Sequence, residues 1–190
     1  DNLYSAVRVE DDYVYNDDAA DDSRNESTWL DDGVEIFIDG DNSNFPDRDT
    51  TGTNPEVVGT GGQFVINANN AYREAEAGNP GYGEDAAWYA KTQWTLTGYE
   101  AEFRISWETL GNPQPGDIIG FTVAVNDDDA LGQVERQILW VGETHVEASY
   151  GNLIIGGRTY SAPRAPAPTI DGSIAEGEYP GAETTTMTGS

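Results

Sequence analysis

An all-β fold, a two-sheet antiparallel β-sandwich of the jelly-roll or immunoglobulin-like kind, is predicted by three observations. Apolar and polar residues alternate along most of the apolar segments. Clusters of Gly, Asn, Asp and Pro punctuate the chain between those segments. No stretch carries the three-and-four spacing of a long amphipathic helix. A chain of 190 residues can bury one core of ordinary size and still carry a tail.

Taken in order, residues 3–10 form the first strand, and 34–39 the second. In the second, Val34, Ile36 and Ile38 point one way, with Glu35 and Phe37 opposite. Residues 63–69 and 88–96 are weaker strands; Trp88, Trp94 and Leu96 share one face of the latter and read as packing residues. The cleanest alternation is 99–105, where Tyr99, Ala101, Phe103 and Ile105 face the core and Glu100, Glu102 and Arg104 face away. Residues 106–111 make one helical turn stopped by Gly111 and Asn112-Pro113, with Trp107 in the core. Ile119, Phe121, Val123 and Val125 line 117–126, and 135–141 and 151–155 complete the series. Residues 45–62 and 74–85 are long polar loops, of a length that is usually functional or ordered by metal.

Composition excludes several functions. Asp and Glu number 35 against 9 Lys and Arg, a formal charge of −26. Such a field repels nucleic acid and anionic bilayers, so neither is a predicted partner, and it attracts divalent cations. Cysteine is absent, which removes disulfides and thiolate chemistry. No apolar run reaches the roughly 20 residues of a membrane helix. His145, the single histidine, stands in no motif and reads as a surface or packing residue. Carboxylates are so abundant that no pair marks a glycosidase centre, so no catalytic residue is assigned and the chain is not predicted to be an enzyme. Asn25-Glu26-Ser27 is a glycosylation sequon, meaningful outside the cytosol.

The domain organisation follows from one linker. Residues 1–162 form the sandwich body, and 163–168 alternate proline with Arg or Ala, an extended spacer rising about 3.1 Å per residue. Residues 169–190 form a separate tail.

Four segments carry a family pattern: 3–12 (LYSAVRVEDD), 32–42 (DGVEIFIDGDN), 98–110 (GYEAEFRISWETL) and 116–128 (GDIIGFTVAVNDD). In this order they resemble the family 9 carbohydrate-binding modules, and coverage runs from residue 1 to about 155. The resemblance implies a two-sheet antiparallel sandwich, secretion, structural calcium and aromatic sugar platforms. The family's opening segment, Ile-Asp-Gly followed by Glu-Trp or Glu-Tyr, resembles 170–179 here, and so stands after the body. His145–Tyr150 keeps a terminal tyrosine but lacks the tryptophan expected just before the last strand.

The displaced opening leaves three arrangements: an excerpt of a tandem array, a permutant whose tail folds back, or a tail that completes a neighbouring copy. The expectation taken forward is the last. It is a non-enzymatic extracellular filament or tandem array of this chain with copies of itself, joined head to tail by donated strands using Ile170, Ile174 and Tyr179. The alternative is a carbohydrate-binding module of a larger secreted polysaccharide-degrading enzyme, with polysaccharide as partner and Trp29 and Trp140 stacking on sugar. A redox domain of the same fold ranks last, for want of haem ligands. Calcium is the expected cofactor, and Asp39, Asp41 and Asp127, with Asp11 and Asp128, are the candidate ligands because carboxylates crowd at strand ends there.

Overall fold

A computed structural model describes residues 1–24, 27–44, 60–74, 82–129, 136–156, 167–179, 182 and 185–187. Among them the strands are β1 (Asn2–Glu10), β2 (Gly33–Asp39), β3 (Gly61–Asn67), β4 (Tyr72–Glu74), β5 (Trp88–Trp94), β6 (Gly98–Ser106), β7 (Ile118–Asp127), β8 (Arg136–Leu139) and β9 (Gly151–Ile154). One sheet has the order β1-β6-β5, and the other β4-β3-β2-β7, with β8 and β9 pairing different halves of the far side of β7. Every pairing between strands is antiparallel. The predicted sandwich is therefore present. Sequence reading missed the short β4. The segment after β6 is a turn closed by Leu110 N–H donating to Trp107 O at 3.1 Å and Gly111 N–H to Glu108 O at 3.1 Å.

Alternation builds the core. Val34, Ile36 and Ile38 of β2, Phe64 and Ile66 of β3, Tyr99, Ala101, Phe103 and Ile105 of β6, and Ile119 of β7 enclose Trp88 between the sheets. Each large side chain so buried stabilises the fold by roughly 1.5–3 kcal/mol. Trp107 packs only at the edge of this cluster. Trp94 and Leu96, expected to pack, are 52% and 104% exposed, because the strand ends at Trp94 and the chain turns away.

Both faces of β2 and β3 are covered, so every residue of these two strands is buried. On the outer face Phe37 packs with Ala124, Tyr150 and Leu139, and the His145 ring meets Phe37 edge-on at 5.1 Å.

Glu100 and Glu102 depart from the simple alternation. They do face away from the core, yet Glu102 is fully buried. The tail lies over them. Asp171 N–H and Gly172 N–H donate to Glu102 Oε2 at 3.0 and 2.9 Å, and Tyr179 O–H donates to Oε1 at 2.5 Å. Ile174 N–H donates to Glu100 Oε2 at 2.7 Å, while Arg8 Nε–H donates to Oε1 at 2.7 Å. Burial raises the Glu102 carboxyl above its ordinary range, against the pull of these donors. Gly172 makes the close approach: its φ is +89°, and a Cβ there would lie 2.5 Å from the Thr92 carbonyl carbon. Farther on, Met187 packs against the main core.

Residues 170–179, expected to complete a neighbour, thus bond to the sheet of their own chain, and none of them forms a strand. Asn25, linker residues 163–166 and most of both long loops lie outside the described residues.

Candidate functional site

Two features gather chemistry: a pair of acidic clusters at one end of the sandwich, and a polar row on the outer face of the larger sheet.

The clusters arise where the chain enters β2 and leaves β7. Asp11, Asp32 and Asp127 bring carboxylate oxygens within 4.8 Å of one another, as do Asp17, Asp18, Asp31 and Asp128. The β2–β7 register pairs Gly33 with Asn126, so the adjacent residues Asp31-Asp32 and Asp127-Asp128 lie opposite each other and each contributes one member to each cluster. Asp31 is fully buried and shapes the loop that crosses it. Its Oδ1 accepts Asp17 N–H at 3.0 Å and Asp18 N–H at 2.9 Å, and its Oδ2 accepts Asn67 Nδ2–H at 2.7 Å. Asp32 accepts the amides of Tyr15 and Asp128, yet burial still pushes its carboxyl up to about 8.

Calcium takes six to eight oxygens at about 2.3–2.6 Å, so ligand oxygens under 5 Å apart fit a common ion. Asn16 Oδ1 and Asp18 Oδ2 are buried with no hydrogen-bond partner in the crossing loop, which is the condition a bound cation would relieve. The residues fit a hard divalent cation.

Of the sequence-named ligands, Asp11, Asp127 and Asp128 fall in these clusters, beside Asp17, Asp18, Asp31 and Asp32, which were missed. Asp39 and Asp41 sit at the opposite end of β2. There Asp39 shapes a turn, accepting Ser43 N–H at 3.0 Å and Asn44 N–H at 2.9 Å. Burial, partly offset by these amides, pushes Asp39 up to about 6 from 3.8. A raised value in the folded state means the native protein takes up a proton between the two values. The stability this group contributes is full below about pH 4 and lost as pH rises through about 6. A carboxyl-carbon NMR titration should give Asp39 a midpoint near 6, and a midpoint near 4 would refute the assignment.

The polar row crosses four strands. Gln63 of β3 donates to Glu35 Oε2 of β2, and Asn126 of β7 donates to Glu35 Oε1 at 2.7 Å. Gln137 of β8 donates to Asn126 Oδ1 at 2.7 Å, and Gln63 Oε1 is buried without a partner. Glu35, Gln63 and Asn126 are buried and Gln137 is exposed, so the row opens at its β8 end. Trp29 stands beside it: its carbonyl accepts Asn126 Nδ2–H at 3.1 Å, and the Arg73 guanidinium lies 4.5 Å from its ring centroid. Trp140 is elsewhere. Its ring packs against Phe121, whose side chain points to the core side of β7, with centroids 6.0 Å apart. The structure therefore brings Trp29, but not Trp140, to the row. Glu35, Gln63, Arg73, Asn126 and Gln137 were missed, because single polar residues in strands carry no sequence signal.

Comparisons with known proteins agree with the geometry. Residues 1–158 match the carbohydrate family 9 binding domain-like family. Endo-1,4-beta-xylanase A of Thermotoga neapolitana is 32% identical over 162 residues, covering 80% of this chain and 13% of that protein. Its counterpart in Thermotoga maritima is 30% identical over 136 residues, covering 68% and 11%. The chain thus spans about an eighth of the length of the curated relatives it matches. In fold it is similar to a family 9 carbohydrate-binding module from Caldicellulosiruptor kristjanssonii in complex with cellotriose, at a TM-score of 0.61 and 24% identity, over 87% of this chain and 75% of that one. The same module in complex with glucose gives a TM-score of 0.61 at 23% identity, over 86% and 75%.

These findings overturn the filament reading. The relatives are endo-1,4-beta-xylanases and a carbohydrate-binding module, and the Asp171 and Gly172 N–H groups of the tail bond within the chain.

Proposed function

The chain belongs to the carbohydrate family 9 binding domain-like family, a non-catalytic module, and on that premise we propose that it binds a neutral β-linked polysaccharide for a larger extracellular enzyme. The observation that carries this reading is the polar row beside Trp29. Gln137, exposed at the open end of the row, presents its amide to sugar hydroxyls, held there by Asn126 Oδ1 and Glu35 Oε1, which lie buried behind it. Arg73 lies over the Trp29 indole, and the C–H face of a pyranose would stack on the opposite face of the ring. Net charge favours a neutral ligand over an acidic one.

Calcium belongs to the same proposal. The seven carboxylates of the two clusters would hold it, and the ion would neutralise their mutual repulsion and fix the crossing loop. It would act on the scaffold and take no part in sugar chemistry.

Calorimetric titration with cellotriose and xylotriose tests the sugar site. Trp29→Ala should weaken binding at least tenfold, or roughly 1.4 kcal/mol, while Trp140→Ala leaves it within twofold. Equal affinities for wild type and Trp29→Ala would sink the assignment.

A further inference from the structure

The end of the sandwich away from the acidic clusters carries a groove that the sugar face does not use. β2 and β7 each run from one end to the other, so the two ends stand about 20 Å apart. The groove has a volume of about 590 Å³ and is lined by Asp41, Asn42, Thr60, Pro113, Asp117 and Ile118 over a floor of glycines. That volume lies within the ~300–1,000 Å³ common for small-molecule sites.

Two buried polar atoms on its wall, Thr60 Oγ1 and Asn42 Oδ1, have no hydrogen-bond partner. Buried groups of this kind cost stability and are few in native proteins. Thr60 sits in a slot that only glycine permits: a Cβ on Gly40 would lie 2.8 Å from its Oγ1, and one on Gly111 2.9 Å from it. Its backbone is fixed as well, since Thr60 O accepts Gly40 N–H at 2.7 Å. The two carboxylates add acceptors. Asp41 Oδ1 accepts Ser43 N–H at 3.2 Å, and Asp117 Oδ2 accepts Gln114 N–H at 2.6 Å, which leaves Asp117 a second oxygen. Pro113 and the 40%-exposed Ile118 form an apolar edge.

An acceptor-rich groove with one apolar edge suits a ligand that has hydroxyl donors and a C–H face. A cation suits it less. The volume greatly exceeds an ion's coordination shell, and among the described residues Asp41 and Asp117 belong to no converging acidic group.

We propose that this groove is a second binding site, independent of the Trp29 face, for one or two units of a neutral saccharide. Two sites on opposite parts of one module would let it hold two chains, or two stretches of one chain, and gain avidity on an insoluble surface.

The test is an NMR titration of the isotope-labelled full chain with cellotriose in calcium-containing buffer, on wild type, Thr60→Val and Trp29→Ala. Thr60→Val keeps the side-chain shape and removes the partnerless hydroxyl, so its melting temperature should match or exceed that of wild type. Cellotriose should shift the amides of Gly40, Gly111 and Gly116 as well as those beside Trp29. In Thr60→Val the groove shifts should need at least tenfold more sugar, with the Trp29-face shifts unaltered; Trp29→Ala should give the reverse. Groove shifts that persist while the Trp29 face stays silent would support this site and remove the other. No groove shift, an unaltered groove affinity in Thr60→Val, or a response to calcium but not to cellotriose would each overturn the proposal.

Discussion

Chelation of divalent cations is expected to lower the melting temperature of this protein by about 15 °C or more. The fold draws seven carboxylates into two clusters, three of whose members, Asp31, Asp32 and Asp128, are buried. Like charges about 4 Å apart repel by roughly 4 kcal/mol at the effective dielectric near a protein surface. With an ion in each cluster that penalty becomes attraction. At a thousandfold excess over its dissociation constant each ion adds about 4 kcal/mol of stability, and a chain of this size shifts by roughly 2–4 °C per kcal/mol. Calorimetric scans with calcium, with chelator and after calcium is restored would show the effect. Asp31→Asn should blunt it, measured against that variant's own midpoint in chelator: its amide oxygen can still accept the Asp17 and Asp18 N–H groups, but the Ala19 N–H and Asn67 Nδ2–H bonds to Oδ2 are lost. An unchanged midpoint in chelator would remove the cation from the account.

Gly172→Val is expected to destabilise by about 2–4 kcal/mol, a drop of roughly 5–15 °C. A side chain there meets the Thr92 carbonyl and must adopt a positive φ, itself costing about 1–2 kcal/mol. The tail would lift, and Glu102 would exchange three donors for water. Gly177→Ala is the control, because its φ is +79° but a Cβ there meets nothing within 4 Å. It should cost about 1 kcal/mol and leave the tail seated. Deletion of residues 167–190 sets the ceiling. If Gly172→Val melts like wild type while the deletion does not, the contact with Thr92 is not what seats the tail.

Much of the scaffold was legible because alternation reports sidedness directly. Tyr99, Ala101, Phe103 and Ile105 face the core as their spacing requires, and so do Val34, Ile36 and Ile38. Alternation does not report what covers the other side. Glu100 and Glu102 read as solvent-facing, and they are the tail's anchors. Phe37 read as outward, and it seeds a second apolar cluster with Tyr150. Asp127 and Asp128 were reachable because they leave a strand in tandem, whereas Asp17, Asp18 and Asp31 look like any other acidic turn until the fold converges them. Asp39 and Asp41 were chosen because they crowd at a strand end, and that crowding reflects a turn held by Asp39. The row from Gln63 to Gln137 joins residues far apart in sequence and opposite one another only through strand pairing.

The split of neighbouring aspartates between the two clusters has a consequence for how the chain finds its native alignment. Asp31 and Asp32 belong to different clusters, and so do Asp127 and Asp128 across the ladder. A slip of one residue between β2 and β7 would exchange partners at both positions and spoil both ligand sets together. Ion capture by the two clusters would thereby act as a proofreading step, rewarding only the correctly aligned ladder. Refolding in calcium should accordingly yield fewer misaligned, aggregation-prone molecules than refolding without it.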